Sequence, residues 1–299
     1  MIKYHNPVLF KEAIHGLKIQ PKGIYVDVTY GGGGHSRGII DLLSNEGRLF
    51  GFDQDADALE NLIDDSRFEF ISANFSHLKQ YLKYYNVKSV DGILADLGVS
   101  SHQFDNGSRG FSIRNNGRLD MRMNQSQTLD AHEVLNKYSE DSLNQLFYSY
   151  GELRNSKKLA KLIINRRVKR VIQTTHDLID LVEPLVPNRF GNKFLAKLFQ
   201  AIRIEVNDEL SVLKLFLEQA TNILNPGGRL VCISYHSIED RIVKRYFQSG
   251  NFEGKQQKDF YGNLIAPLNK VGKLKTPSKD EIATNSRSRS AKLRIAEKR

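Results

Sequence analysis

Ile24-Tyr25-Val26-Asp27-Val28-Thr29-Tyr30-Gly31-Gly32-Gly33-Gly34-His35-Ser36 is the stretch on which the reading of this chain turns. A short apolar, β-branched run ends in an acid, four glycines follow, and residues 36–43 then carry a helical pattern. That succession reads as the first strand of an open α/β sheet, the phosphate- or nucleoside-binding turn at its carboxyl end, and the returning helix. Glycine suits such a turn for two reasons: the backbone must enter positive φ, and a ligand must approach the main chain without meeting a Cβ atom. A merely mobile glycine loop would need neither the apolar run before it nor the helix-compatible segment after it.

Outward from this turn the spacing stays regular. Residues 8–17 predict a helix that ends at the turn Pro21-Lys22-Gly23. Beyond the glycines, Gly47-Arg48-Leu49-Phe50-Gly51-Phe52-Asp53 predicts a second strand that again ends in an acid. That acid stands about 20 residues past the glycines, where a nucleotide-binding βαβ unit needs a carboxylate for the ribose hydroxyls. Asp53 is the candidate, with Asp55 and Asp57 as caps for a helix over 56–62. Further strands are predicted over 68–72 and 90–96. Phe75, just after the third strand and next to Asn74, would offer a stacking face to a bound adenine. Asp96 closes the fourth strand at the small-residue turn Leu97-Gly98-Val99-Ser100-Ser101, at the edge where open α/β sheets bind ligands.

From Asn106 the character changes. Helical patterns over 131–135, 139–149, 156–171, 176–185 and 193–204 follow one another without strand alternation. An all-α domain inserted over 106–205, splitting a sheet domain made of 1–105 and 206–299, accounts for this. Sheet grammar resumes with a helix over 208–224, the turn Asn225-Pro226-Gly227-Gly228, a strand over 229–234 and a helix over 238–247. The polar, basic C-terminal part reads as loop followed by a short strand over 291–295.

At 299 residues and 40% apolar, the chain can bury one large core or two ordinary ones. Its net charge of +10 is clustered: residues 154–170 hold eight Lys or Arg and no acid, and residues 270–299 hold ten against Asp280, Glu281 and Glu297. Two such blocks point to a polyanionic partner, whose counterions they would release. The lone cysteine, Cys232, excludes an internal disulfide framework and fits a reducing cytosol. Neither export nor membrane insertion is expected, because the N-terminus has no apolar core segment and no run of about 18 apolar residues occurs. No Cys/His spacing of a metal site is present, so no metal is expected.

Two common owners of a glycine turn fail on spacing. The dinucleotide fingerprint is not met, since Gly31 and Gly33 lead to Ser36 while Gly32 and Gly34 lead to Arg37. No Gly-Lys-Ser/Thr follows, so a P-loop is excluded as well. An acid before the glycines, Asp27, with a second at the end of strand two, resembles the class I S-adenosylmethionine-dependent methyltransferases.

The resemblance then becomes specific. The stretches Asp27 to Ser36, Asp96 to Ser101, Leu119-Asp120-Met121-Arg122-Met123, Phe199-Gln200-Ala201-Ile202-Arg203-Ile204 and Ser234-Tyr235-His236-Ser237-Ile238-Glu239-Asp240-Arg241 are together similar to the bacterial MraW/RsmH methyltransferase family. The likeness runs from His5 to Arg294. It implies a class I (Rossmann-like) sheet with an inserted helical domain that helps hold RNA. It also implies S-adenosylmethionine as methyl donor, and as substrate the N4 amino group of a cytidine in the decoding region of 16S ribosomal RNA. Cofactor contacts are implied at Gly33, Gly34, His35, Asp53, Phe75, Asp96 and Gln103. Val28 departs from the family, which usually has a smaller residue there.

The chemistry sets its own demands. Cytosine N4 is a poor nucleophile because its lone pair is delocalised into the ring, so it must be held in line with the methylsulfonium while a group accepts the developing positive charge. Amino-methyltransferases commonly meet this need from an Asp/Asn-Pro-Pro-Tyr turn after strand four, and Asp96-Leu97-Gly98-Val99 stands in that place without the prolines or Tyr. Asp96 and His236 are therefore the catalytic candidates, His236 to orient the base or carry a proton. Asp240 and Arg241 either serve the site, Arg241 by holding a phosphate, or simply pair and cap their helix. Attack at cytosine C5 would need a cysteine nucleophile, and Cys232 sits inside an apolar strand as a packing residue. Two readings stay open beside the leading one: a cofactor-binding ribosome-assembly factor without turnover, and a methyltransferase for a non-RNA substrate. Whether the chain works as a monomer or a homodimer is not legible.

Overall fold

The computed structural model describes residues 7–187, 189 and 191–299, so His5, where the family likeness begins, lies outside the described residues. Two compact units emerge: one made of residues 7–98 and 211–299, the other of residues 99–210. The second is wider at both ends than the 106–205 expected from the sequence. Val99 and Phe104, the latter on the short helix Ser101–Asp105, pack into the helical core at one end, and Val206 does so at the other.

The first unit is an α/β sheet of seven strands: β1 (Ile24–Asp27), β2 (Arg48–Asp53), β3 (Phe68–Ser72), β4 (Val90–Asp96), β5 (Leu224–Ser234), β6 (Leu268–Lys275) and β7 (Lys292–Lys298), in the order β3-β2-β1-β4-β5-β7-β6. β7 runs antiparallel to both neighbours, and the remaining pairs are parallel. This is the class I sheet that the resemblance implied. The order reverses between β1 and β4, and in such sheets ligands bind outside the carboxyl ends of the strands at that reversal. The central strands β1, β2, β4 and β5 are buried on both faces, as parallel strands are. Tyr25, Leu49, Leu94 and Val231 point to a core covered by the helices Phe10–Leu17 and Gly34–Ile40. Their neighbours Val26, Phe50, Ile93 and Cys232 point to a second core shared with the helices Leu78–Tyr84 and Ser237–Ser249.

Three details differ from expectation. β5 begins at Leu224 rather than Arg229, passing through Gly227 (φ 80°) with a register shift opposite Val90 and Gly92. β6 replaces part of the expected loop; its apolar residues Leu268, Val271 and Leu274 recur every third position rather than every second, which hides a strand. The cause is local: Gly272 has φ 65° and the register with β7 shifts between Val271 and Lys275. Residues 56–61 form a 3-10 helix rather than an α-helix, and Asp55 alone caps it, accepting the Asp57 N–H at 3.2 Å.

The second unit is helical: Ala131–Lys137, Glu140–Ser149, Ser156–Lys169, Thr175–Val182 and Gly191–Asn207, the first four starting at or just after Asp130, Ser139, Asn155 and Thr174. Asp130, Ser139 and Thr174 each accept a backbone N–H of the first turn, the usual reason such residues begin helices. Two of the family stretches meet inside this unit. Asn207 donates from Nδ2 to the carbonyls of Met121 and Arg203, and accepts the Met123 N–H at 2.8 Å. Met121 is held at φ 59°, and Arg203 grips Glu209 with two bonds of 2.7 and 2.8 Å. These motif residues hold the helical unit together.

Candidate active site

Three acids stand at the carboxyl ends of neighbouring strands of the sheet unit: Asp27 on β1, Asp53 on β2 and Asp96 on β4. Each has a different task. Asp27 is buried and spent on the turn, its carboxylate accepting the Thr29 N–H at 3.1 Å and the Ser36 hydroxyl at 2.7 Å. It thereby ties the end of β1 to the following helix. From outside, Arg37 donates to the Gly32 carbonyl at 2.8 Å and to the Asn61 carbonyl at 3.1 Å. Asp53 accepts the Gly31 N–H at 2.7 Å and the Asp55 N–H at 2.9 Å, so the second acid is wired directly to the glycine turn.

The glycines differ in what they spare. A Cβ on Gly33, whose φ is 71°, would lie 2.7 Å from the Tyr30 hydroxyl, and one on Gly34 would lie 2.4 Å from Pro7 Cγ. A Cβ on Gly32 would meet nothing within 4 Å. Room for the expected approach of a ligand to the turn is therefore present at Gly32. Gly33 and Gly34 are small because Tyr30 and Pro7 fill the space, and they offer a ligand their main chain only.

Around Asp96 the contacts are closer. The Tyr235 hydroxyl donates to Asp96 Oδ1 at 2.8 Å, and the Asp96 N–H donates to Thr29 Oγ1 at 2.6 Å. Asp96 Oδ2 lies 3.7 Å from His35 Nδ1, too far for a hydrogen bond. The buried His35 faces the Val8 carbonyl through Nε2 at 3.1 Å; a carbonyl only accepts, so Nε2 carries the proton and Nδ1 faces Asp96 bare. Burial pushes the His35 pKa down to about 4, so the ring is neutral. Tyr235 is absent from the residues singled out in the sequence; its only signal there is its position one residue past a strand end, inside a family stretch.

Burial pushes all three acids up: Asp27 to about 6, Asp53 to about 6 and Asp96 to about 7. Asp27 adds repulsion on both of the others, while the Tyr235 hydrogen bond works in the opposite direction on Asp96. Carboxylates that resist ionisation are relieved by a nearby cation, so the strand ends favour a positively charged ligand and oppose a phosphate.

The other candidates fall as follows. Phe75 starts a short 3-10 helix after β3 and packs its ring edge-to-face on Phe216 at 5.3 Å. Gln103 belongs to the helical unit, buried, with its side chain accepting the Ser100 N–H at 3.0 Å in a capping box. His236 caps the helix Ser237–Ser249: Nδ1 accepts the Glu239 N–H at 3.4 Å, and Nε2, 3.1 Å from Glu239 Oε1, lacks the geometry of a hydrogen bond. Asp240 does not pair with Arg241. It takes Arg294 at 2.7 and 3.2 Å and Lys292 at 3.2 Å, fastening β7 to that helix. Cys232 is buried in β5, and burial pushes its thiol well up, which fits the packing role.

Comparison with known proteins gives a consistent result. The family described as the MraW methylase family matches residues 3–299. Ribosomal RNA small subunit methyltransferase H of Christiangramia forsetii is 55% identical over 298 residues, covering 100% of this chain and 99% of that protein. The proteins of the same name from Flavobacterium johnsoniae and Bacteroides fragilis are 54% and 52% identical over 297 residues, each covering 99% of this chain and 98% of the relative.

Proposed function

The chain belongs to the MraW methylase family, and from that premise we propose that it transfers a methyl group from S-adenosylmethionine to the N4 amino group of a cytidine in the decoding region of 16S ribosomal RNA. The observation that carries this reading is the trio of strand-end acids. Asp27, Asp53 and Asp96 all resist ionisation, and a ligand with a sulfonium and an ammonium group relieves them where a phosphate would not. Gly32, with open space above it, and Asp53, wired to Gly31, are where the donor would lie, with Phe75 beside its base and with main-chain contacts from Gly33, Gly34 and His35.

When bound, the donor supplies a methyl group already activated on a sulfonium. The protein supplies alignment and a proton acceptor. Tyr235 holds Asp96 Oδ1, and Oδ2, 3.7 Å from His35 Nδ1 and so not hydrogen-bonded to it, is the oxygen left for a ligand. Oδ2 accepts a hydrogen of the cytosine amine, draws its lone pair out of conjugation, and takes the proton as the N–C bond forms and the S–C bond breaks. His236 Nδ1 is committed as a helix cap, so its part is to orient the base through Nε2–H rather than to shuttle a proton. Gln103 is a further donor contact on the family likeness alone. Six of the eight cations of residues 154–170, among them Lys157, Lys158, Lys161 and Arg170, are exposed on and beside the helix Ser156–Lys169 and suit an RNA backbone. An enzyme of ribosomal RNA works in the cytoplasm; among the described residues no helix is long and apolar enough to cross a membrane.

The decisive assay incubates purified protein and labelled donor with small subunits lacking the modification, then measures N4-methylcytidine by nucleoside mass spectrometry. Donor binding without transfer to that atom would overturn the proposal. Asp96→Ala should abolish transfer while leaving RNA binding intact.

A further inference from the structure

Between the helix Ser237–Ser249 and β6 the chain makes an excursion that neither the sheet nor the donor site requires. Its tip is a tight turn built on Asp259. The Asp259 carboxylate accepts the N–H groups of Tyr261 at 2.9 Å and Asn263 at 2.8 Å, and the Asn263 side-chain amide at 3.0 Å. Its carbonyl accepts the Gly262 N–H at 3.0 Å, and Gly262 takes φ 85°. Below the turn, Lys258 and Leu264 bridge antiparallel and the Ile265 N–H reaches the Gln257 carbonyl at 2.8 Å. The base is tethered at both ends: Phe252 stacks on Tyr246 at 4.9 Å, and Arg299 donates to the Leu264 carbonyl.

This hydrogen-bonded turn presents two aromatic rings to solvent. Phe260 is 98% and Tyr261 85% exposed, with ring centres 5.6 Å apart and planes at 87°. Two neighbouring rings this bare forgo the stabilisation that burial gives, and ordering them on a braced turn makes them a platform. Their surroundings select the partner. Residues 254–275 contain five lysines and a single acid, Asp259, whose carboxylate the turn consumes. Elsewhere on this unit, Lys244, Lys270 and Lys273 line a hollow together with Phe247 and Leu274. Flat faces for bases, carried on a stretch rich in cations for phosphates, suit a single-stranded nucleic acid.

We propose that the Phe260–Tyr261 turn is a second RNA contact, separate from the donor site, on which an unpaired base of the small-subunit RNA stacks while the lysines of residues 255–275 take its phosphates. The right angle between the rings gives that base one ring beneath its face and the other against its edge. This inference rests on the RNA substrate proposed above and adds to it a surface the methyl transfer itself does not use.

The test compares full-length wild type with Phe260→Ala/Tyr261→Ala and with Phe260→Trp. Probes are unmodified small subunits and, separately, the donor alone. The double alanine variant should bind subunits roughly 10- to 100-fold more weakly, because stacking on an aromatic is a large part of single-strand affinity. KM should rise with kcat, donor affinity and melting temperature unchanged. Phe260→Trp should keep or improve affinity, and ultraviolet crosslinking should join RNA to residues 260 and 261. Wild-type subunit affinity in the double variant, with methyl transfer normal, would overturn this inference alone. Loss of self-association or of binding to a ribosomal protein, with RNA affinity unchanged, would assign the rings to a protein partner and overturn it too. A wild type that neither binds nor methylates subunits would overturn both this inference and the substrate on which it rests.

Discussion

The hydroxyl of Tyr235, at the end of β5, lies 2.8 Å from Oδ1 of Asp96, at the end of β4. The two strands pair in parallel with Asp96 opposite Ile233, so the sheet itself brings the phenol to the acid. Tyr235 thereby occupies one oxygen of Asp96, and the other lies 3.7 Å from His35 Nδ1, beyond hydrogen-bond reach.

Removing that phenol should change the pH dependence of the reaction. Burial raises the Asp96 pKa to about 7, and the Tyr235 hydrogen bond holds it from rising further. The acceptor must be ionised, so activity should climb as pH rises through that value. In Tyr235→Phe the acid limb of the kcat/KM profile, which reports the free enzyme, should move to higher pH. A lost hydrogen bond of ~1 kcal/mol predicts a loss of several-fold near neutrality that recovers in alkaline buffer. An equal loss at every pH would show that Tyr235 matters only for shape.

Two glycine substitutions should separate ligand space from packing space. Gly34→Ala pushes a methyl into Pro7, 2.4 Å from its Cγ, and should lower the melting temperature. Gly32→Ala meets nothing within 4 Å and should leave stability unchanged while weakening donor binding in calorimetry. Equal donor affinity in Gly32→Ala and wild type would move the ligand away from the turn.

Asp240→Ala should be among the most destabilising single changes. Asp240 and Arg294 each expose only 12% of their side chains, and removing one partner of a buried pair typically costs about 3–5 kcal/mol. Burial alone would raise the Asp240 pKa, but Arg294 and Lys292 hold it below the usual carboxylate range. A depressed carboxylate contributes stability that is lost as pH falls, so variant and wild-type denaturation midpoints should converge in acid.

The basic helix Ser156–Lys169 should reveal itself through salt. Lys157→Ala/Lys158→Ala/Lys161→Ala should weaken subunit binding and flatten its dependence on log salt, by about 0.7–0.9 for each phosphate that the variant no longer neutralises. Donor affinity should not move, since none of the three is among the proposed donor contacts.

Much of the sheet can be read from the chain because local chemistry repeats there. β3 and β4 occupy the residues expected, as their apolar runs end at turns and acids. β6 cannot be read this way, since the bulge at Gly272 breaks the two-residue period that marks a strand. At the site, Asp53 and Asp96 are legible because each closes an apolar run. Tyr235 is not, because its partner is 139 residues away in the chain and only β4–β5 pairing joins them.

The sequence by itself determined the fold class, the insertion after the fourth strand, the acids at the strand ends and the family, all of which rest on spacing within short segments. The tertiary structure decided what each residue does. It turned Asp27 into a brace for the glycine turn, gave Gly33 and Gly34 to Tyr30 and Pro7, spent His236 on a helix cap and sent Asp240 to Arg294. The physical reason is that a side chain's role follows from its hydrogen-bond partners and its burial, and both depend on residues that are distant in the chain until the sheet closes.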